Sequence, residues 1–198
     1  MFICLLVISY LIGNLSFGLI SAKLFKLQDP RTFGSKNIGA TNILRSGNKK
    51  AAIFTLLGDL LKGCLAVGIA VYFQKSFGLT QEIIVYSGLC VFLGHVYPIF
   101  LKFKGGKGVA TIAGALLVIS PIIGFTALSS WLISAFLFRY SSLSAIIASL
   151  FTIICSAIIY RFNSEFYTIL LMVIILLYKH KTNIINLINK QEPKIGKK

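Results

Sequence analysis

Acidic residues are nearly missing from this sequence. Asp29, Asp59, Glu82, Glu165 and Glu192 are the only five, against twenty lysines and arginines, which leaves a net charge of +15 over 198 residues. Other features are equally thin. The four cysteines, Cys4, Cys64, Cys90 and Cys155, stand singly inside apolar runs, with no CxxC pair or Cys/His cluster to hold a metal. They are expected to be small buried hydrophobes. No basic residue precedes the apolar run Phe2–Ala22, so it lacks the charged start of a signal peptide and is expected to be a retained span. Polar surface is also short: hydrophobic residues make up 57% of the chain, too many for a soluble domain of this length to stay dispersed.

What is present is a series of long apolar runs without an amphipathic stripe, the pattern of helices surrounded by lipid and by each other. Residues 1–198 are expected to form one polytopic bundle with no separate soluble domain. The positive charge lies in the loops flanking the runs, where orientation on a membrane accounts for it, and nucleic acid is not expected as a partner.

Clear spans are Phe2–Ala22, Ala51–Phe73, Ile83–Leu101, Leu143–Tyr160 and Phe166–Tyr178, the last short enough to need extension at one end. Val109–Phe138 is too long for one untilted crossing and short for two, at about 20 residues each. Charge decides its parity. The first loop carries Lys23, Lys26, Arg31, Lys36, Arg45, Lys49 and Lys50; Lys102, Lys104 and Lys107 follow the third span. The tail carries Lys179, Lys181, Lys190, Lys194, Lys197 and Lys198. All three share the cytoplasmic side only if Val109–Phe138 goes in and back, as two short spans or as a re-entrant hairpin, with its turn near Ser120-Pro121. The expected fold is an all-α integral membrane protein. It has seven transmembrane helices, two of them short, with the N-terminus outside and the C-terminus cytoplasmic. The first loop, the 102–108 loop, the Arg139–Ser142 turn and the tail then meet at one face.

Two polar stretches at that face have the makings of anion sites. In 33–45, Gly34 and Gly39 lead toward a helical Ala40–Leu44, so exposed N–H groups can cradle phosphate. Ser35, Asn37, Thr41 and Asn42 add neutral donors, and Lys36 and Arg45 add charge. A guanidinium matches phosphate oxygens two at a time. The alternative is a solvated loop of turn residues. In 102–111, Lys104 and Lys107 flank Gly105-Gly106, and Gly108 precedes a helical run. Leu101 occupies the place of the first Walker glycine and Gly108 that of the Mg-binding Ser/Thr, so a nucleotide-hydrolysing P-loop is not expected. Here the alternative is a flexible turn with topology-setting lysines. Asp59 and Lys62 lie one turn apart within a span and are expected to neutralise each other as a structural pair. His95 reads as a structural hydrogen-bonder, and His180, beside the basic tail, as the better candidate for function. No GxSxG frames Ser141 and Ser142.

Taken in order, these segments resemble the PlsY family of bacterial membrane acyl-phosphate:glycerol-3-phosphate acyltransferases. The resemblance rests on Gly34-Ser-Lys-Asn-Ile-Gly-Ala-Thr-Asn42 with Arg45, and on Gly58-Asp-Leu-Leu-Lys-Gly63. It continues through Gly94-His95, Pro98, Phe103-Lys-Gly-Gly-Lys-Gly-Val-Ala-Thr111, His180, Asn183-Ile184 and Glu192. Lys36 departs from it, standing where many members have glycine.

The resemblance implies acyl transfer from acyl phosphate to the sn-1 hydroxyl of glycerol 3-phosphate in the bacterial inner membrane, with no cofactor. It also implies transient contact with the soluble phosphate acyltransferase that makes the donor. Ser35, Arg45, Lys104, His180 and Asn183 would be catalytic. Gly34, Lys36, Asn37, Gly39, Thr41, Asn42, Gly105, Gly106, Lys107 and Gly108 would bind substrate, the Lys104–Gly108 loop taking glycerol 3-phosphate. Either His180 or a substrate phosphate oxygen would take the hydroxyl proton. The rival class is an anion carrier, but carriers hold their site near the midplane between repeats, and this sequence has no repeat.

Overall fold

A computed structural model describes residues 1–196, so Lys197 and Lys198 of the basic tail lie outside the described residues. Helices run α1 (Phe2–Gly13), α2 (Phe17–Leu24), α3 (Ala40–Leu44), α4 (Lys49–Phe77) and α5 (Glu82–Val96). After a 3-10 turn (Ile99–Leu101) come α6 (Val109–Ile119), α7 (Pro121–Phe138), α8 (Ser141–Tyr160), α9 (Ser164–Lys179) and α10 (Lys181–Ile188). The protein is an all-helical, multi-pass membrane protein. Phe2–Leu24, α4, α7, α8 and the α5 segment to Leu101 are each long and apolar enough to cross a bilayer, and α9 with α10 makes a sixth candidate bent by 58°.

The first span is interrupted. Asn14 ends α1 and Ser16 caps α2 through its side chain, so Phe2–Ala22 is two helices and not one. Within Val109–Phe138 the break falls at Ser120-Pro121, with proline in the first turn of α7, where its missing N–H costs no helical bond. The two halves are unequal, against the expectation of two short helices. α7 is of full length, whereas the 11 residues of α6 reach only about 16 Å at 1.5 Å per residue. Cys4 also departs from expectation: it is exposed on α1, while the other three cysteines are partly buried.

The helices cross where side chains are smallest. A methyl group on Gly13 would overlap the Val91 carbonyl and one on Gly94 the Tyr10 carbonyl, so α1 and α5 touch backbone to backbone. Gly63 and Gly114 do the same between α4 and α6. Lipid tails are as apolar as leucine, so close contact of this kind, not burial from water, selects the packing. The outward faces are correspondingly greasy, with Ile3, Phe136 and Ile158 among the most exposed side chains.

Val109–Phe138 leaves the loop face at Gly108 and returns to it at Arg139. The Ile195 N–H donates to the Arg139 carbonyl at 2.6 Å, Ser142 reaches Glu192, and Lys107 reaches Asn183. The first loop joins the same face, since Thr41 Oγ1 and Ser141 Oγ share a hydrogen bond at 3.0 Å. All four polar segments therefore meet, as charge parity predicts.

Candidate active site

The first loop is built around one side chain. Asn42 is buried, and its Nδ2 donates to the carbonyls of Pro30 (2.8 Å), Asn37 (2.9 Å) and Phe33 (3.3 Å). Its Oδ1 accepts from the Ser35 N–H at 3.0 Å. Both ends of this amide are thus committed to the loop, and Asn42 shapes the site without projecting into it. Gly34 turns with φ +56°, and a methyl group there would overlap Asn42 Oδ1 and crowd the Arg45 stem. Ser35 and Lys36 stand exposed at the tip, with Asn37, Gly39 and Thr41 half-buried behind them. Lys36 itself has φ +55°, the left-handed region where glycine would be unstrained. The expected helix over Ala40–Leu44 forms, but as little more than a single turn after Gly39.

The second loop follows the end of α5. Pro98 O accepts from the N–H groups of Leu101 and Phe103, and the His95 carbonyl accepts from the Gly106 N–H at 3.1 Å. Gly105 has no room for a side chain, because a methyl there would overlap the His95 carbonyl. Gly106 and Gly108 are buried, while Lys104 is exposed. Lys107 is half-buried and donates to Asn183 Oδ1.

The third contribution comes from the bend between α9 and α10. His180 is buried there, with Nδ1 2.8 Å from the Leu176 carbonyl. A carbonyl can only accept, so Nδ1 carries the proton and the Nε2 lone pair is left free. Three residues on, Asn183 Nδ2 donates to Glu192 Oε1 at 2.7 Å, and the Ser142 hydroxyl donates to the same oxygen at 2.6 Å. Lys107, Asn183, Glu192 and Ser142 form a continuous hydrogen-bonded chain. Among the described residues, the exposed Ser35 hydroxyl and Lys104 ammonium make no side-chain hydrogen bond.

The electrostatics are those of an anion site. Burial, with Arg45 and Lys179 nearby, lowers the Lys107 ammonium to about 8, and the Glu192 carboxylate only partly opposes this. A cation pressed toward neutrality by burial, and further by neighbouring cations, is one that an arriving phosphate stabilises. The arrangement can hold anionic oxygens at the ends of spans and beside lipid.

Comparison with known proteins agrees. A family model described as glycerol-3-phosphate acyltransferase matches residues 3–190. The chain belongs to that family. Among its relatives, the glycerol-3-phosphate acyltransferase of Paraburkholderia phymatum is 50% identical over 97% of this chain and 91% of its own. That of Dechloromonas aromatica is 50% identical over 98% and 96%. The crystal structure of PlsY, an integral membrane glycerol 3-phosphate acyltransferase, in its glycerol 3-phosphate form superposes with a TM-score of 0.88. It is 33% identical, over 98% of this chain and 96% of that one. The lysophosphatidic acid form of PlsY gives 0.85, at 32% identity over 98% and 94%.

Within this acyltransferase, sequence reasoning missed Ser142 and did not give Glu192 a role. A signal was available for Glu192, one of five acidic residues in a basic chain and the only one in the tail. Ser142 carried none, because its partner lies 50 positions away.

Proposed function

We propose that this chain transfers a fatty acyl group from acyl phosphate to the sn-1 hydroxyl of glycerol 3-phosphate, in the first step of phospholipid synthesis. The products are 1-acylglycerol 3-phosphate and inorganic phosphate. The observation that carries the reading is the gathering of Arg45 and Lys179 about Lys107, which the glycine loop carries and which donates to Asn183. Two phosphates bring up to about four negative charges to one site, and such a cluster offsets their repulsion.

The hydroxyl oxygen attacks the acyl carbonyl carbon. The bond from that carbon to the phosphate oxygen breaks, and phosphate departs with the electron pair. Lys104 and Arg45 orient phosphate and stabilise the developing charge, and Ser35 and Asn37 position substrate. Asn42, by its bonds, holds the loop that carries them. Gly34, Lys36, Gly39 and Thr41 shape the first phosphate contact; Gly105, Gly106, Lys107 and Gly108 hold glycerol 3-phosphate. Two groups can take the hydroxyl proton: His180 Nε2, with Asn183 as support, or a substrate phosphate oxygen. The donor is already activated, so the step needs no protein nucleophile.

The same reading treats 1–198 as one domain with seven spans, the N-terminus outside and the C-terminus cytoplasmic. It places the chain in the bacterial inner membrane with its site facing the cytoplasm. The collection of basic loops on one face supports that orientation. A transient contact with a soluble phosphate acyltransferase would supply the donor.

The test is an assay of purified protein in lipid with glycerol 3-phosphate and palmitoyl phosphate, with palmitoyl-CoA as the comparison donor. Lysophosphatidic acid and phosphate formed only from the acyl phosphate are expected. Folded protein that makes no product from either donor would reject the reading in favour of anion transport. Lys104→Ala is expected to lose nearly all turnover; activity within a few-fold of wild type would remove Lys104 from the mechanism.

A further inference from the structure

Under the 102–108 loop lies a buried charged group that the reaction above does not use. Asp59 and Lys62 on α4 and His95 on α5 are each less than a tenth exposed. Lys62 Nζ lies 2.8 Å from Asp59 Oδ1, as a pair one turn apart requires. It also lies 2.8 Å from His95 Nδ1 and 2.6 Å from the Leu15 carbonyl. An ammonium has three N–H bonds, and here it has three acceptors. Leu15 falls in the break between α1 and α2, which frees its carbonyl. The interruption of the first span thus completes the shell of a lysine 47 residues away.

This shell dictates the state of the histidine. Asp59 neutralises Lys62, so the lysine stays a donor, and His95 Nδ1 must accept. Asp59 Oδ1 is farther from that nitrogen, at 3.5 Å. The ring is then neutral with its proton on Nε2. That edge ends at the loop: a methyl group on Gly106 would overlap His95 Nε2, while the Gly106 N–H donates to the His95 carbonyl. One residue touches the glycine pair with both its backbone and its ring. An ion pair serving packing alone would need no ring whose far edge lies against that loop.

We infer that His95 is a positioning residue for glycerol 3-phosphate, its Nε2–H held under the 104–108 loop by Lys62 and Asp59. The inference rests on the reading of that loop as the glycerol-3-phosphate loop.

Two measurements test it. In wild-type protein carrying 15N-labelled histidine, with His95 assigned by difference from His180→Gln, NMR at neutral pH is expected to show a bare Nδ1 and a protonated Nε2. A proton on Nδ1, or an imidazolium, would overturn the arrangement. In kinetics, His95→Asn keeps an acceptor for Lys62 but loses the donor at Nε2. It is expected to raise KM for glycerol 3-phosphate about tenfold, the value of one hydrogen bond, with kcat and KM for palmitoyl phosphate within about threefold. His95→Gln, whose amide nitrogen reaches the Nε2 place, should recover most of the loss. An unchanged KM for glycerol 3-phosphate in folded His95→Asn would refute the role. So would an equal rise for both substrates without rescue by glutamine. Should His95→Asn not fold, the 15N signals of wild-type protein titrated with glycerol 3-phosphate decide: a shift at His95 Nε2 on binding is expected, and an unmoved signal at saturation would refute the role. If wild-type protein makes no product at all, the enzymatic reading fails, and the NMR still tests the tautomer.

Discussion

The two glycine-rich loops look alike as sequences and are held in different ways. The first, 30–45, is held mainly from within: four of its hydrogen bonds converge on Asn42, from residues no more than twelve positions away, and Thr41–Ser141 is its one long-range side-chain bond among the described residues. The second is laid on other helices, at the end of α1, the end of α5 and the start of α10. Tyr10 donates to the Tyr97 carbonyl at 2.7 Å, and Asn14 Oδ1 accepts from the Ile99 N–H at 2.6 Å. The glycine pair rests on His95, and Lys107 is tied to Asn183. A self-organised loop tolerates changes around it and fails at its organiser. A loop laid on other helices is sensitive wherever it touches them.

The largest expected effect comes from one methyl group on the second loop, set against one on the first. Gly106→Ala drives a Cβ into the His95 ring, and activity should fall by about 100-fold or more, as for a misplaced substrate clamp. Gly39→Ala meets nothing nearer than Asn37 Nδ2 at 3.7 Å and should stay within about threefold, losing only a modest N-cap preference. Steady-state assays on both variants decide whether the loops differ as described, and equal losses would erase the distinction.

Next is the organiser. Asn42→Ala leaves the Pro30 and Asn37 carbonyls and the Ser35 N–H without a partner, while the Phe33 carbonyl keeps the Lys36 N–H. A cost of about 2–3 kcal/mol is expected in the stability of the loop. Hydrogen exchange should show the Ser35 amide unprotected while the 102–108 segment keeps its protection. Spread of the loss to both loops would mean that the first is not self-contained.

A smaller effect is expected with pH. The Lys107 pKa is lowered to about 8, so the ammonium is charged below that value and lost as pH rises through it. KM for glycerol 3-phosphate should therefore climb between pH 7 and 9, while kcat, measured with phosphate bound and the proton retained, changes less. Lys107→Arg keeps its charge throughout and should flatten the KM profile. The linked stability runs in the opposite direction. Between pH 8 and the usual lysine value of 10.5 the unfolded chain holds more protons, so the folded state gains stability as pH rises.

The smallest effect is at Lys36. Replacing it with glycine relieves a left-handed φ and should raise the thermal midpoint slightly, by the equivalent of about 1 kcal/mol offset by added chain entropy. Calorimetry of Lys36→Gly reads that shift directly; a fall in midpoint would mean that the lysine makes a contact worth more than the strain.

Hydropathy and charge alone determined that the chain is a helical membrane protein, where its apolar runs lie, and that Ser120-Pro121 divides the 109–138 stretch. They also determined that four polar segments gather at one face, because span length and loop charge are sums over neighbouring residues. Residue types singled out Gly34–Arg45 and Lys104–Gly108 as candidate anion loops, and they paired Asp59 with Lys62, as the structure has it. Only the tertiary structure decided the break at Asn14–Ser16, the bend at His180 and the return of Glu192 to Ser142 and Asn183. It alone gave Asn42 its inward role and joined His95 to the buried pair. The Glu192–Ser142 contact and the shell that joins His95 and Leu15 to Lys62 turn on partners tens of residues apart, chosen by how closely helices approach at Gly13, Gly63, Gly94 and Gly114; the Asn42 partners are near in sequence, but their convergence is set by the folded loop as a whole. Such backbone contact is a property of two packed surfaces at once, and no window of the sequence contains both.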